Sequence, residues 1–299
     1  FAVGDSGDRI DLGFFGADPF ASGRFRIVQA GADTWIQEIA TEALYVQLLN
    51  VNASALTPYN LSGLNPSNVR LIDGTGDDVL TGTALSDILR GFAGDDVLNG
   101  GDGSDQLAGG LGNDLLYVDG GDLVFEGAGE GRDNVLASAH YVLNAGAEVE
   151  LLSTTANVGT AAIDLTGNEF GQAVIGNMGA NVLRGGGGVD VLVGLGGNDT
   201  FVFDTAPGAG NVDVLADFVS GEDRIALDAD VFAGLGLGTL PAGAFRIGTT
   251  ALDGDDRLIY NPNSGALFFD ADGNGNGAAI QVATLQTAPA LAASDFIVI

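Results

Sequence analysis

The segments GGDGSDQLA (Gly100–Ala108) and GGLGNDLLY (Gly109–Tyr117) decide the fold, since they are consecutive copies of one nine-residue unit. Five such units run without a break from Asp73 to Tyr117, and four more run from Gly167 to Val202. Each unit combines at least one glycine, a carboxylate or amide at its sixth place and an apolar residue at its eighth. Tandem units of this length predict a parallel β-solenoid, in which each turn stacks on the next.

The sixth and eighth places are the most regular part of the first block. Aspartate holds every sixth place there: Asp78, Asp87, Asp96, Asp105 and Asp114. Leucine holds every eighth place: Leu80, Leu89, Leu98, Leu107 and Leu116. The sixth place of the second block changes from amide to carboxylate: Gln172, Asn181, Asp190 and Asp199. A strand alternates its side chains between two faces, so the eighth-place residue is predicted to face the interior, while the glycines form the turns.

Two units, or 18 residues, are predicted to form one full coil with a strand on each side. Strands of successive coils then lie about 4.8 Å apart. This spacing places Asp78, Asp96 and Asp114 in one column and Asp87 and Asp105 in another. Two carboxylates about 5 Å apart repel by about 3 kcal/mol at an effective dielectric of about 20. The columns therefore oppose folding unless a cation lies between the aspartates; the alternative is an array of glycine-rich turns with solvated aspartates and no metal.

The predicted cation is Ca²⁺, because carboxylates and inward backbone carbonyls make an all-oxygen site of flexible geometry. Magnesium needs a small octahedron, and zinc prefers nitrogen or sulfur. We expect three sites in the first block, a weaker one at Asn181 and Asp199, and the weakest at Gln172 and Asp190. The predicted metal-site residues of the two blocks are Gly74, Gly76, Asp78, Asp87, Gly94, Asp96, Gly101, Gly103, Asp105, Gly110, Gly112, Asp114, Asn181, Gly186, Gly188, Asp190, Gly197 and Asp199.

A separate candidate metal loop is DADGNGNGAAIQ, Asp270–Gln281. Asp270, Asp272 and Asn274 match the first ligand places of an EF-hand loop. Gln281 stands where that loop has a bidentate glutamate, and the flanking segments have the pattern of strands. A plain hairpin turn is therefore the alternative interpretation.

The nonapeptide units resemble the repeats-in-toxin (RTX) family of calcium-binding proteins, which Gram-negative bacteria secrete through type I exporters. Asp213–Ala229 is similar to the segment that follows the roll in serralysin-type and alginate-epimerase proteins, and the ending ASDFIVI is similar to the family's carboxyl-terminal secretion signal. The resemblance implies an all-β protein built on a right-handed parallel β-roll. It also implies a chain that stays unfolded in low-calcium cytosol, is exported by the type I machinery, and folds in extracellular calcium.

Three regions are predicted along the chain. Residues 1–72 form an amino-terminal β-rich capping module, and residues 204–299 form a second β-rich cap that carries the secretion signal. Between them, residues 73–203 form the β-roll, in which an irregular solenoid segment joins the two blocks of repeats. The similarity between Phe1–Leu12 and Phe218–Leu227 indicates that the two caps are related.

The composition limits the partners of the chain. There are 40 acidic and 10 basic residues, which give a formal net charge of −30. Such a chain repels nucleic-acid phosphates and attracts cations. The absence of cysteine excludes disulfides and thiolate metal sites. No apolar run is long enough for a transmembrane helix, so we expect no membrane insertion.

No motif of catalysis occurs outside the repeats. The one histidine, His140, is expected to be a partly buried structural residue, and the GxGxxG-like strings lie within the nonapeptide units. We therefore expect no enzyme activity in this chain, while a catalytic domain upstream stays open. The expected function is a structural or adhesive role at the cell surface, as part of a surface layer, adhesin or extracellular assembly. Its partners would be copies of itself or cell-surface polysaccharide. The alternative is the secretion and folding tail of a larger exoenzyme, such as a protease, a lipase or a polysaccharide-modifying enzyme.

The seventh place of the units is apolar although it should face outward. It carries Val79, Ile88, Val97 and Leu115. This pattern fits β-propensity on a half-covered face. It also fits an apolar stripe that packs on a flanking module or a neighbouring copy.

Overall fold

A computed structural model describes residues 25–38, 44–48, 69–72, 76–82, 84 and 86–299. The chain divides into two compact units, Phe1–Leu136 and Ala137–Ile299. Throughout these described ranges the regular structure is β-strand, apart from two short 3-10 turns at Ala242–Ala244 and Ala293–Asp295. The first cap's similarity segment, Phe1–Leu12, and the predicted ligand Gly74 lie outside the described residues.

The first unit contains eleven described strands. They are β1 (Phe25–Ala30), β2 (Asp33–Glu38), β3 (Leu44–Leu48), β4 (Val69–Ile72), β5 (Val79–Thr81), β6 (Asp87–Ala93), β7 (Val97–Asn99), β8 (Gln106–Leu111), β9 (Leu115–Val118), β10 (Leu123–Val124) and β11 (Asn134–Ala137). One sheet has the order β10-β8-β6-β4-β1-β2-β3, and β5, β7, β9 and β11 lie side by side in another. From β4 to β11, successive strands thus alternate between the two sheets, as a coiling chain requires.

The second unit contains the remaining strands. They are β12 (Tyr141–Val142), β13 (Leu151–Thr154), β14 (Leu165–Thr166), β15 (Ala173–Ile175), β16 (Val182–Arg184), β17 (Val191–Val193), β18 (Thr200–Phe203), β19 (Asp213–Leu215), β20 (Arg224–Leu227), β21 (Gly238–Thr239), β22 (Phe245–Ile247), β23 (Leu258–Asn261), β24 (Ala266–Phe269), β25 (Ile280–Leu285) and β26 (Phe296–Val298). The order β12-β14-β16-β18-β20-β26-β21 makes one sheet, and β13-β15-β17-β19-β25-β24-β23-β22 makes the other.

Strand register confirms that one coil takes 18 residues. Parallel pairing places Leu80 opposite Leu98, and Leu98 opposite Leu116. The other face of the first unit pairs Leu89 with Leu107 in the same way. Between the two blocks the coils are longer, since Leu152 lies opposite Val174. The predicted all-β parallel β-roll is confirmed.

The eighth-place side chains form the core of each unit. In the first block these leucines are 0–3% exposed, and Val174, Leu183, Leu192 and Phe201 of the second block are fully buried. The seventh place is mixed, because Val79 is 77% exposed while Ile88, Val97 and Leu115 are half-buried. Burying the eighth place on both faces supplies the hydrophobic stabilisation of each coil.

Antiparallel strands flank the coils within each unit. In the first, β1 pairs antiparallel with β2 and parallel with β4. In the second, β23, β24 and β25 form an antiparallel meander, and β25 joins the coils by pairing parallel with β19. The predicted boundaries at residues 72/73 and 203/204 stay predictions.

Candidate metal centre

The sixth-place aspartates of the first unit form hydrogen-bonded columns. Asp96 accepts the backbone N–H of Asp78 through Oδ1 at 2.8 Å, and Asp114 accepts that of Asp96 at 2.8 Å. In the second column Asp105 accepts the N–H of Asp87 at 2.7 Å. Each carboxylate therefore uses one oxygen to join its own coil to the preceding one, 18 residues earlier. The structure brings these residues together in the predicted columns.

The columns continue past the last nonapeptide unit. Asp105 donates its N–H to Oδ1 of Asp122 at 2.8 Å, and Asp114 donates to Oδ1 of Asp133 at 2.9 Å. Sequence reasoning missed both residues, because they follow at intervals of 17 and 19 residues and lie outside the repeats. Asp105 and Asp114 consequently have an acidic neighbour on each side, as Asp96 does.

The second unit repeats this arrangement. Gln172 donates its N–H to Asp190 at 2.7 Å, and Asn181 donates to Asp199 at 2.8 Å. Two further aspartates that the repeat pattern missed close these columns: Asp213 accepts from Asp190 at 3.1 Å, and Asp223 accepts from Asp199 at 2.9 Å.

The second oxygen of several carboxylates is buried without a hydrogen-bond donor. Asp105, Asp114 and Asp190 are at most 1% exposed, and the Oδ2 atom of each has no hydrogen-bond partner among the described residues. A buried polar atom without a partner is costly, and a buried charge more so. A cation next to these atoms would remove that cost, so the residues present fit Ca²⁺.

Burial also perturbs the protonation of these carboxyl groups. Desolvation raises the pKa of Asp105 to about 7 and that of Asp114 to about 6, although the N–H of the preceding coil opposes the rise. Desolvation likewise raises the pKa values of Asp190 and Asp199 to about 7. Neighbouring carboxylates add to each shift. Without a metal, the carboxyl groups of the folded columns therefore release their protons at a higher pH than exposed aspartates do.

The predicted turn glycines take backbone angles that suit their role. Gly76, Gly94, Gly101, Gly103, Gly110, Gly112, Gly186, Gly188 and Gly197 all have φ between 92° and 156°. At Gly112 a Cβ atom would also collide with the carbonyl oxygen of Gly94 in the preceding coil. At the second place of the unit, Phe92 (71°) and Leu195 (72°) also have a positive φ, whereas Asn168 and Asn177 do not.

The amides at the sixth place make a different site. Asn181 Nδ2 donates to the carbonyl of Ile163 at 2.8 Å and to Oδ1 of Asn177 at 3.2 Å. Its Oδ1 accepts the N–H of Asn177 at 2.8 Å. The side chain of Gln172 is held in the same manner by Asn168, which donates its N–H to Oε1 and accepts from Nε2. In these coils a side-chain NH₂ group donates hydrogen bonds to neighbouring oxygen atoms.

The candidate loop at Asp270–Gln281 connects two antiparallel strands, β24 and β25. Asp272 accepts the N–H of Gly277 at 3.0 Å, a bond that lowers its pKa. Asn274 donates its side-chain amide to the carbonyl of Leu252 at 3.1 Å. The ligand role of Asp270, Asp272 and Asn274 stays a prediction, as does the plain hairpin turn, because the Asn274 contact joins the loop to a segment outside the hairpin.

His140 is exposed, with 65% of its side chain accessible, and not partly buried as expected. Its Nδ1 atom lies 3.2 Å from Asp164 Oδ2 and accepts the backbone N–H of Asp164 at 2.9 Å. The residue lies between the two blocks, in coils longer than 18 residues, where the repeat pattern gives no register from which to predict burial.

Comparison with known proteins identifies the repeated segments. A family model described as the RTX calcium-binding nonapeptide repeat, in four copies, matches residues 72–107, 99–122 and 166–204. These segments are RTX repeats. No curated protein sequence matches the chain. Solved structures that match include the extracellular lipase LipA from Serratia marcescens, which is 17% identical with a TM-score of 0.26; the alignment covers 76% of this chain and 40% of the lipase chain.

RTX nonapeptide repeats bind Ca²⁺, and the buried aspartate-rich turns of this chain are consistent with several calcium sites. The resemblance stated from the sequence is confirmed for the repeats. Proteins with RTX repeats are typically secreted by type I systems in Gram-negative bacteria. No helix in the described part of the chain is long and apolar enough to cross a membrane.

Proposed function

We propose that this chain is a calcium-triggered folding module of a secreted protein. The observation that carries the proposal is the set of buried carboxylate oxygens without hydrogen-bond donors, at Asp105, Asp114 and Asp190. The stacked aspartates would hold the calcium ions, together with carbonyl groups of the glycine-rich turns. Bound calcium supplies positive charge between carboxylates, which turns the repulsion within each column into attraction.

The free energy of calcium binding is then part of the free energy of folding. The columns bring their carboxylates together only in the folded coils, so the ion binds the folded chain more tightly than the unfolded one. At the low calcium level of the cytosol the repulsion disfavours the coils. Outside the cell, where calcium is abundant, the same residues stabilise the fold.

A calcium titration followed by far-ultraviolet circular dichroism tests this function. After chelation, we expect the β-signal of the full chain to be largely lost and then restored cooperatively by calcium. Magnesium at the same concentration is the control, and we expect it to restore little because Mg²⁺ demands a small octahedron and loses its water reluctantly. An unchanged β-signal in excess chelator would contradict the proposal.

For the role of the folded module we propose a structural or adhesive task at the cell surface. The charge of −30 and the absence of lysine support this, because such a surface remains soluble and suits calcium-bridged assembly with acidic polysaccharide or further copies. Fractionation of the producing cells, with and without chelator, is the test. We expect calcium-dependent retention of the protein on the cell surface.

The alternative role is the secretion and folding tail of an exoenzyme. Its support is the similarity of Asp213–Ala229 and of the ending ASDFIVI to segments of exported RTX enzymes. Hydrolase activity of the full-length secreted protein, lost on removal of residues before Phe1, would favour this role over the structural one. Deletion of ASDFIVI tests the secretion signal, and we expect the protein to remain inside the cell.

A further inference from the structure

Three carboxylates meet where the first block of repeats ends. Asp114, Glu126 and Asp133 each place one carboxylate oxygen within 4.8 Å of the other two. All three residues are buried, with 1%, 2% and 1% of their surface exposed. Asp114 is the last sixth-place aspartate of the block, while Glu126 and Asp133 come from the irregular coil that follows. Among the described residues, no other three acidic, histidine or cysteine side chains bring their ligand atoms this close together.

Glu126 is held in the cluster by the last glycine turn. Its Oε1 accepts the N–H of Gly109 at 2.7 Å, and its Oε2 accepts that of Gly110 at 3.2 Å. The Oδ2 atom of Asp114 lies against the same turn, since a Cβ built on Gly109 would collide with it. That Oδ2 atom is buried and accepts no hydrogen bond from any described residue. The oxygen without a donor therefore lies at the turn that holds the glutamate.

We propose that Asp114, Glu126 and Asp133 form a calcium site that closes the first block of repeats. The inference rests on the proposed calcium-dependent folding and adds a ligand, Glu126, that the nonapeptide pattern does not contain. Three carboxylates give this site more negative charge than a pair of stacked aspartates has, and calcium affinity rises with the charge of the ligands. We therefore expect this site to be the last to lose its calcium when a chelator is added.

Protonation is the competing explanation for the same cluster. Burial, and then the charges of Asp133 and Asp114, raise the pKa of Glu126 to about 8. A protonated Glu126 would reduce the repulsion without a metal. The two explanations differ in whether calcium bonds all three carboxyl groups.

The second unit contains a matched arrangement. Asp217 accepts the N–H of Gly194 at 2.9 Å and that of Leu195 at 2.8 Å, as Glu126 does at the corresponding turn. Glu126 follows Asp122 by four residues, and Asp217 follows Asp213 by four. The aspartate is one methylene shorter, and it forms no three-carboxylate group of the kind seen at Glu126. Burial raises the pKa values of Asp199 and Asp223 and the charge of Asp217 adds to both shifts, but these three carboxylates do not approach one another as closely as those at Glu126. Asp217 is therefore the matched comparison for Glu126.

The test compares Glu126→Gln with Asp217→Asn in the full chain. Both changes keep one oxygen for one of the two turn N–H groups, replace the other oxygen with an NH₂ group, and remove one negative charge, so the cost at the turn is matched. Calorimetric titration should show that Glu126→Gln loses one calcium ion or weakens one site by about tenfold or more, because the site loses a charged ligand. Asp217→Asn should leave the number of bound ions unchanged. Equal effects of the two changes, or no effect of Glu126→Gln, would overturn the inference.

A crystal structure of the unaltered chain grown in calcium settles the case where a variant fails to fold. We expect an ion about 2.3–2.6 Å from a carboxylate oxygen of each of the three residues. No ion there, or an ion bound by Asp114 and Asp133 with Glu126 turned away, would overturn the inference. Failure of the unaltered chain to bind calcium anywhere would instead contradict the proposed function.

Discussion

The coils at Asp105 and Asp114 and those at Gln172 and Asn181 share one pattern of backbone hydrogen bonds but differ in side-chain chemistry. In both, the sixth-place residue donates its N–H to a side-chain oxygen of the next coil at 2.7–2.9 Å. In the first pair, a carboxylate leaves one buried oxygen without a donor. In the second, an amide NH₂ donates to neighbouring oxygens.

The difference lies in one atom of each sixth-place side chain, an amide nitrogen in place of a carboxylate oxygen. Asn181 Nδ2 satisfies the carbonyl of Ile163 and the side chain of Asn177. A carboxylate oxygen in the place of that NH₂ would repel both acceptors unless a cation came between them. We infer that the coils with amides fold without the metal, and that those with stacked carboxylates depend on it.

The largest expected effect is on regional hydrogen exchange after chelation. Peptides that contain Asp87 and Asp96 should exchange at nearly unfolded rates, because their N–H groups depend on carboxylate acceptors. Peptides that contain Asn177 and Gly179 should keep clear protection, because amide side chains accept their N–H groups. Mass spectrometry of proteolytic peptides measures both regions in one experiment. Equal exchange rates in the two sets of peptides would contradict the inference that the carboxylate coils alone depend on calcium.

Reciprocal substitutions should shift the calcium requirement in opposite directions. Asn181→Asp removes two donated hydrogen bonds, so it should lower the free energy of unfolding without calcium by about 1–3 kcal/mol and recover part of it with calcium. Asp105→Asn removes a buried charge, so it should stabilise the metal-free chain and weaken calcium binding. Urea unfolding with calcium and with chelator measures both.

The control for these substitutions is Asn99→Asp. Asn99 is exposed, and its Oδ1 accepts the N–H of Gly101 at 3.1 Å, an interaction that aspartate preserves. We expect its unfolding midpoint to stay nearly constant in both buffers. If Asn181→Asp behaved like this control, the amide would not be what replaces the cation.

A smaller effect is expected from pH. The raised pKa values of Asp105, Asp190 and Asp199, about 7 each, mean that the metal-free folded state holds protons that the unfolded chain has released. The free energy of unfolding without calcium should therefore decrease as pH rises from about 4 to about 7. Urea midpoints in calcium-free buffer at about pH 5 and about pH 7 test the sign, and a midpoint that increases with pH would contradict it. Apparent calcium affinity should increase over the same interval, since protons compete with the ion.

Much of the metal site could be predicted from spacing alone. The 18-residue register, the inward leucines and the columns through Asp96 and Asp105 all follow from a strict nine-residue period. The acidic residues that close the columns could not be predicted, because they follow at 17, 19, 23 and 24 residues. Loops of different length change the sequence position of the closing aspartate. Its hydrogen bond to the preceding coil still places it in the column.

The sequence by itself determined the coil, its interior and the ion, because each depends on the residue types repeated at a fixed period. Only the tertiary structure decided where the columns end and which side chains hold the amides at the sixth place. Glu126 and Asp217 lie at corresponding turns although no repeat contains them, and Asn168 and Asn177 complete the amide coils from outside the sixth place. Such contacts depend on how the intervening chain folds back. These contacts depend on which hydrogen-bond donors and acceptors meet across neighbouring coils, and the nine-residue period does not predict that.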